Sequence, residues 1–201
     1  MAHPFEKEIA KVRQNTHTIS PLIIDRWSPR AMSGETISDE ELMDLFEAAR
    51  WAPSSYNNQP WRFLYAKRDT SLWPLFHNLM IDFNKQWTQN AAVIAVVVSA
   101  KNFEHNGKFS RTHSFDTGAA WMALALEGSA RGLVVHGMEG FDYDKAKKDL
   151  DIPDDHQVEA MIAIGKHASP QILPEEIRKR ETPSTRKEVK TFVIEGKFKK
   201  N

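Results

Sequence analysis

Residues 50–61 hold a run of uncharged polar side chains between two prolines. The segment reads Arg-Trp-Ala-Pro-Ser-Ser-Tyr-Asn-Asn-Gln-Pro-Trp, with the prolines at positions 53 and 60. Each proline fixes its own φ torsion and lacks an N–H, so neither suits a helix interior or a central strand. Serine and carboxamide side chains offer hydrogen-bond donors and acceptors without charge. A stiff loop of this kind suits a flat, neutral heterocycle, although an ordinary polar connection between a helix and a strand has a similar composition.

Two arginine-containing segments are candidates for binding an anion. Residues 25–30 read Asp-Arg-Trp-Ser-Pro-Arg, and residues 183–186 read Pro-Ser-Thr-Arg. Arginine forms two-pronged contacts with phosphate through its planar guanidinium group. The first segment is therefore a candidate anion site, and pairing of Arg26 with a surface carboxylate is the alternative.

Several common catalytic motifs are missing from the sequence. The chain has no cysteine, which excludes disulfides, thiol nucleophiles, iron–sulfur clusters and thiolate zinc sites. It also lacks the Gly-x-Gly-x-x-Gly, P-loop and Gly-x-Ser-x-Gly patterns. No two of its histidines lie two or four residues apart, so no histidine metal site is expected, and His113 and His136 are interpreted as structural. A bound organic cofactor is then the expected source of the chemistry.

Composition indicates one globular domain without a strong electrostatic preference. The chain has 201 residues, 41% of them hydrophobic, and a formal net charge of +0. This balance gives no general reason to expect a nucleic acid or membrane partner. The longest apolar run is too short to span a bilayer, and the N-terminus has no secretory pattern, so a cytoplasmic location is expected.

Helical and strand patterns alternate along the chain. Ser38 followed by Glu41 forms a capping-box pattern, and the apolar residues after it recur at helical spacing. A second long helix is predicted from His113 to Arg131, and a helical stretch over 70–88 is expected to be interrupted at Pro74. Strands are predicted at 61–66, 91–99, 133–136 and 158–165. This alternation favours an α/β or α+β layered domain.

Two features point towards a second copy of the chain. The predicted helix 113–131 carries Gly118, Ala119, Ala123 and Gly128, small residues that allow another helix to approach closely. Residues 189–196 contain apolar side chains near the C-terminus, which is typical of a tail that docks on another subunit. A frayed terminus is the alternative.

Four segments in this order resemble the motifs of the nitroreductase-like FMN-dependent oxidoreductases. Residues 49–61 resemble the family's signature loop, and residues 26–30 resemble its N-terminal Arg-x-Ser-x-Arg/Lys motif. Residues 137–141 resemble its glycine-containing strand end beside the flavin, and residues 183–186 its C-terminal phosphate-binding arginine motif. The order and spacing match over roughly residues 20–195.

The resemblance implies an α+β fold with a central, mostly antiparallel sheet flanked by helices. Residues 1–201 would form a single FMN-binding domain in an intertwined homodimer, with the C-terminal segment extending onto the partner. The FMN phosphate or the N1/O2 edge of the ring would be held by Arg26, Ser28, Arg30 and Arg186. The ribityl chain or pyrimidine edge would contact Asn57, Gln59 and Asn84. The flavin of the other subunit would be reached by Pro53, Ser54 and Ser55. The backbone of Glu139 and Gly140 would face N5, at a strand end whose cofactor-binding residues also include Gly137 and Met138.

The activity implied by the resemblance is an FMN-dependent NAD(P)H oxidoreductase. Hydride would pass through flavin N5 by a ping-pong route to a nitroaromatic, quinone or activated alkene, with no side chain named as a general acid or base. The alternatives are a flavin store or sensor without turnover, and a member with other flavin chemistry such as dehalogenation or dehydrogenation.

The sequence departs from the family pattern at one position near the predicted flavin. Many members place a lysine three residues after the asparagine matched by Asn84, and this chain has Trp87 there. Arg30 or Lys85 is the candidate source of the missing positive charge. The polar loop 101–111 matches no motif and is a candidate for shaping the substrate pocket.

Overall fold

A four-stranded antiparallel sheet lies at the centre of the fold. The computed structural model describes residues 9–198. The strand order is β1-β2-β4-β3, and each neighbouring pair is antiparallel. The strands are β1 (Trp61–Lys67), β2 (Val93–Ala100), β3 (Leu133–Met138) and β4 (His156–Lys166). The four predicted strands and the antiparallel α+β architecture are confirmed.

Among the described residues, seven α-helices with defined bounds accompany the sheet. They are α1 (Pro21–Asp25), α2 (Asp39–Arg50), α3 (Trp73–His77), α4 (Asp82–Thr88), α5 (His113–Ala130), α6 (Tyr143–Asp149) and α7 (Glu175–Arg178). Single 3₁₀ turns occupy Ser55–Asn57, Pro170–Ile172 and Val189–Thr191.

Strand β2 is buried along its whole length because helices cover both faces of the sheet. Ile94, Val96 and Val98 on one face belong to a core cluster that includes side chains of α3, α4 and α6. Val93 and Val97 on the other face pack with side chains of α2 and α5. Alternate residues of a strand point to opposite faces, so an unbroken apolar run is required here.

Helix α2 begins with the capping box that its sequence predicts. Ser38 Oγ accepts a hydrogen bond from the Glu41 N–H at 3.0 Å, and the Glu41 carboxylate accepts one from the Ser38 N–H at 2.8 Å. These two bonds satisfy amide groups that the first turn of a helix leaves without partners. The face that carries Leu42, Leu45 and Ala49 is buried.

The predicted interruption at Pro74 is wrong in its position. Pro74 lies in the first turn of α3, where a missing N–H costs no helical hydrogen bond. The chain instead leaves the helix between His77 and Asp82. Here the N–H of Ile81 donates to the carbonyl of Gly140, which ties the start of α4 to the segment after β3.

Two glycines of α5 have different surroundings. A Cβ added at Gly128 would collide with Val135, so this glycine allows α5 to lie close to β3 within one chain. A Cβ added at Gly118 would meet no atom within 4 Å, and Gly118 is exposed. Of these two positions, only Gly118 presents a small residue to an outside surface.

Candidate functional site

Three guanidinium groups line one cavity at the surface. Arg13, Arg26 and Arg186 belong to a cavity of about 570 Å³, which also takes in Met122 of α5. Burial lowers the pKa of Arg13 and of Arg26, and the nearby charge of Arg186 lowers both further. Within residues 9–198, none of the three guanidinium groups forms an ion pair with a carboxylate within 4.0 Å. Mutual repulsion among guanidinium groups that have no paired carboxylate favours binding of an anion.

The two predicted arginine segments meet at this cavity. Arg26 donates from Nη1 to Ser28 Oγ at 3.1 Å, and no carboxylate pairs with it, so the alternative of a surface ion pair is not observed among the described residues. Arg186 donates from Nη1 to Ser184 Oγ at 2.6 Å and to the Thr185 carbonyl at 2.9 Å. The structure therefore brings Arg186 close to Arg26 and Ser28, from which more than 150 residues separate it in sequence.

Arg13 is a member of this group that sequence analysis missed. Its Nη1 donates to the carbonyls of Ile24, at 2.5 Å, and Arg26, at 2.8 Å, and its Nε donates to the carbonyl of Ser184 at 3.1 Å. No motif surrounds residue 13, and the sequence gives no signal that distinguishes this arginine from a surface residue. Its contacts exist only because the tertiary fold places residues 24–26 and 184 beside it.

Arg30 does not line the arginine cavity and instead pairs with Glu181. A buried carboxylate of Glu181 accepts from the N–H of Arg30 at 2.6 Å and from the N–H of Ala31 at 2.8 Å. The Arg30 guanidinium lies 3.7 Å from the second oxygen of the same carboxylate. Glu181 thereby fixes the backbone of the first arginine segment and neutralises much of the charge of Arg30.

His136 on β3 forms a hydrogen bond with the first arginine segment, residues 25–30. Its Nδ1 lies 2.9 Å from the carbonyl of Pro29, so Nδ1 must carry the proton and donate it. Burial, together with the nearby charges of Arg30 and Arg26, lowers the pKa of His136 to about 4. The imidazole is neutral near pH 7 and serves as a structural donor.

The segment after β3 is held by Asn84 and Trp87 of helix α4. Asn84 donates from Nδ2 to the carbonyl of Gly140 at 2.9 Å, and Trp87 donates from Nε1 to Asn84 Oδ1 at 3.2 Å. The Trp87 ring is buried and lies 4.6 Å from the His136 ring. The tryptophan at the position of the family's lysine is thus a core residue that orients Asn84.

Two glycines allow close packing around this strand end. A Cβ added at Gly140 would lie 2.7 Å from Asn84 Nδ2 and 2.8 Å from Ile81 Cδ1. A Cβ added at Gly137 would lie 3.1 Å from the Trp121 ring. Met138 is buried between these two positions, and the backbone carbonyl of Glu139 accepts from the N–H of Phe141 at 2.8 Å.

The proline-bracketed loop is fixed by local hydrogen bonds. Ser54 Oγ accepts from the N–H of Gln59, and the N–H of Ser55 donates to Asp116 Oδ2 of helix α5, each at 3.0 Å. Three consecutive or nearly consecutive residues adopt positive φ angles, namely Tyr56 at 54°, Asn57 at 52° and Gln59 at 47°. Such conformations are uncommon outside glycine and often mark functional loops.

Asn57 and Gln59 line a second, open cavity. Pro53, Ser54 and Ser55 precede them in the same loop and do not line this cavity. This cavity also contains Arg62, Glu104 and His105, and it shares no lining residue with the arginine cavity. The loop 101–111 reaches it because Asn58 donates to the carbonyl of Asn102 at 3.3 Å and accepts from the N–H of Glu104 at 3.0 Å. Within one chain, the proline-bracketed loop and the arginine cavity are therefore separate sites.

An exposed aromatic group stands at the edge of the second cavity. The rings of Tyr56, Phe103 and His105 contact one another, with centroid distances of 5.4 to 5.6 Å. Tyr56 is 82% exposed although its backbone is fixed in an unfavourable conformation. These rings offer an apolar surface next to the polar loop, in which Tyr56 and Phe103 meet edge to face at 78°.

Residues 9–198 contain neither a metal-binding cluster nor a membrane-spanning helix. No group of three or more histidine, aspartate or glutamate side chains is arranged to bind a metal ion in this range. No helix in this range combines the length and apolar character needed to cross a membrane.

This chain is similar in sequence and structure to known oxidoreductases. A solved structure of an oxidoreductase containing FMN is 43% identical, with a TM-score of 0.89 over 94% of this chain and 97% of that one. An NAD(P)H nitroreductase by name, from Bacillus subtilis (strain 168), is 27% identical over 67% of this chain and 81% of that protein. An oxygen-insensitive NADPH nitroreductase of Helicobacter acinonychis (strain Sheeba) is 40% identical over 70 residues, and the match spans 34% of this chain and 32% of that protein.

The model of the Nitroreductase family matches residues 23–166, which include both the first arginine segment and the end of β3. This range covers most of the described chain and ends with strand β4. The chain therefore belongs to the nitroreductase family of oxidoreductases.

Proposed function

We propose that this protein is an FMN-dependent NAD(P)H oxidoreductase that reduces electron-poor acceptors. The observation that carries the proposal is the cavity lined by Arg13, Arg26 and Arg186, whose guanidinium groups have no carboxylate partner within the described chain. A phosphate monoester is the anion that such a donor set fits best. The FMN content of the similar solved oxidoreductase supports FMN as the phosphate-bearing cofactor.

The residues present fit the remaining parts of FMN. We assign the phosphate to Arg26, Ser28 and Arg186, and the N5 side of the ring to the backbone of residues 137–140. Arg30 and Lys85 are the candidates for the N1/O2 edge, and each already lies in an ion pair, Arg30 with Glu181 at 3.7 Å and Lys85 with Asp82 at 3.3 Å. Asn84 would contribute through Gly140, since its carboxamide already binds Gly140 and Trp87.

Bound FMN supplies hydride transfer between NAD(P)H and an acceptor such as a nitroaromatic, a quinone or an activated alkene. The chain's own residues bind and orient the reactants in this proposal. The arginines neutralise the phosphate, and Glu181 and His136 fix the segment that carries them. The exposed ring of Tyr56 and the half-buried ring of Phe103 provide an apolar surface for an aromatic acceptor.

We further propose that two copies of the chain form the complete site. Phe115, Gly118 and Met122 share one face of α5, and Phe115 is 80% exposed in a single chain. The C-terminal segment adds Phe192, which is 64% exposed and lines the arginine cavity. Burial of this apolar surface by a second copy would bring the partner's loop 53–59 towards the arginine cavity.

Purification followed by cofactor analysis tests the proposal. The expected product is a yellow protein whose flavin is FMN, bleaches rapidly with NADH or NADPH, and recovers its colour with a nitroaromatic or a quinone. A protein that stays colourless after addition of FMN would contradict the proposal. Slow bleaching would favour the flavin store or sensor, and turnover only of halogenated or amino-acid-derived substrates would favour the other flavin chemistries.

The Arg186→Ala variant tests the assignment of the phosphate. Loss of a charge-assisted contact should weaken FMN binding by roughly 1.5–3 kcal/mol, while binding of riboflavin, which has no phosphate, should change little. The control is Arg111→Ala, which removes an exposed arginine from the polar loop. Equal losses for FMN and riboflavin would show that the phosphate lies elsewhere.

A further inference from the structure

We propose that Arg13 is a positioning residue that joins two arms of the arginine cavity and so sets the distance between Arg26 and Arg186. The N-terminal arm is residues 24–30, and the C-terminal arm is residues 183–186. The inference rests on the proposed function insofar as the cavity holds the FMN phosphate. Its structural basis is separate, because it concerns contacts within the chain.

Arg13 uses most of its hydrogen-bonding capacity on the backbone. A guanidinium group has five N–H donors. The contacts of Nη1 and Nε reach the carbonyls of Ile24, Arg26 and Ser184. The remaining amino group, Nη2, is the part of the side chain that could face an anion directly. Arg13 therefore acts mainly on the protein and only secondarily on a ligand.

The three carbonyls belong to two distant segments of the chain. Ile24 and Arg26 lie at the N-terminal arginine segment, and Ser184 lies in the C-terminal one. The Ser184 carbonyl also lies 3.4 Å from Nη1 of Arg186, so one oxygen faces both guanidinium groups. Arg13 consequently fixes the C-terminal arm beside the backbone that carries Arg26.

The electrostatics explain why such a link is needed. Burial and the charge of Arg186 lower the pKa of Arg13, and the same two causes lower that of Arg26. Like charges brought this close repel one another, and Asp25 is the acidic group that opposes this effect at Arg13. Hydrogen bonds from Arg13 to carbonyl oxygens hold the arms together before any anion binds.

The planar shape of the side chain is essential to this role. A guanidinium group holds its donors in a fixed fork, whereas the ammonium group of lysine is a compact point charge. A lysine at position 13 would keep the charge but could not reach the carbonyls of both segments at once. Replacement by lysine therefore separates positioning from simple charge attraction.

The experiment compares Arg13→Lys, Arg13→Gln and the control Arg111→Gln in the full-length protein. We expect both Arg13 variants to raise the dissociation constant for FMN by about 10-fold to 100-fold, as the loss of one to two strong hydrogen bonds predicts. The dissociation constant for riboflavin should change by less than about 3-fold in the same variants. Recovery of FMN affinity in Arg13→Lys would overturn the positioning role.

A second measurement does not depend on the cofactor. Release of the C-terminal arm should speed tryptic cleavage after Arg186 and Lys187, which mass spectrometry detects in protein freed of FMN. We expect faster cleavage in both Arg13 variants and unchanged cleavage in Arg111→Gln. If the wild-type protein binds no FMN, the proposed function fails, yet the cleavage rates still test the link. Unchanged cleavage in both Arg13 variants would overturn the link itself.

Coupling between positions 13 and 186 provides the last test. If Arg13 acts through Arg186, the loss of FMN affinity in the double variant Arg13→Gln/Arg186→Gln should be smaller than the two single losses combined. Additive losses would mean that the two side chains contact the phosphate independently. That result would overturn the assignment of Arg13 as a positioning residue.

Discussion

Trp87 donates its indole N–H to Asn84 Oδ1 across 3.2 Å, and the other end of the same carboxamide donates to the carbonyl of Gly140. The Trp87 ring also contacts His136, whose Nδ1 donates to Pro29. A chain of contacts thus joins helix α4, the end of β3 and the first arginine segment. Both the proposed ring site and the proposed phosphate site depend on this common support.

Replacement of Trp87 by phenylalanine should destabilise the protein markedly. Trp87 is 1% exposed, and the smaller ring would leave Asn84 Oδ1 without its donor in a buried position. Together with the cavity that remains, this should lower the free energy of unfolding by about 2–3 kcal/mol, measured by urea denaturation followed by circular dichroism.

The matched control for this variant is Trp51→Phe. Trp51 is 75% exposed, so its replacement should change the free energy of unfolding by less than about 1 kcal/mol. Equal losses in the two variants would contradict the structural role assigned to Trp87.

The state of His136 predicts a specific loss of stability in acid. Its pKa is about 4 in the folded protein, whereas a free imidazole has a pKa near 6.5. Between these values the unfolded chain binds more protons than the folded one, so the free energy of unfolding falls as the pH falls. The contribution is complete above pH 6.5 and declines towards pH 4, by at most about 2–3 kcal/mol.

The His136→Asn variant isolates this contribution. Its carboxamide can still donate to Pro29 but does not titrate. Urea denaturation between pH 4 and pH 7.5 should give a shallower pH dependence for the variant than for the wild type, even if the variant is less stable throughout. Parallel curves would show that another group causes the acid sensitivity.

Replacement of Gly118 by leucine tests the proposed dimer. A side chain at this position meets no atom of its own chain, so the fold should tolerate it. If a second copy packs against this face of α5, the leucine should shift the protein towards the monomer in size-exclusion chromatography with light scattering. Lys148→Leu, at an exposed position of α6, serves as the control. An unchanged dimer in Gly118→Leu would exclude this face from the interface.

Much of the fold follows from interactions between residues close in sequence. Ser38 and Glu41 are three residues apart, so their capping box and the start of α2 could be predicted directly. The unbroken apolar run of β2 likewise required cover on both faces of a sheet. The prolines and carboxamides of residues 53–60 indicated a stiff polar loop, and motif order indicated the family. Helix α3 was misplaced because Pro74 is equally compatible with interrupting a helix and with beginning one.

The arrangement of the candidate site was decided by tertiary structure. Arg13 reaches Ser184 across 171 residues, and Asn84 reaches Gly140 across 56, so no local pattern could reveal either contact. The sequence determined which side chains could bind an anion and a flat heterocycle. Only packing decided that three arginines share one cavity while Asn57 and Gln59 line another, because side chains far apart in sequence meet only where the core places their backbones.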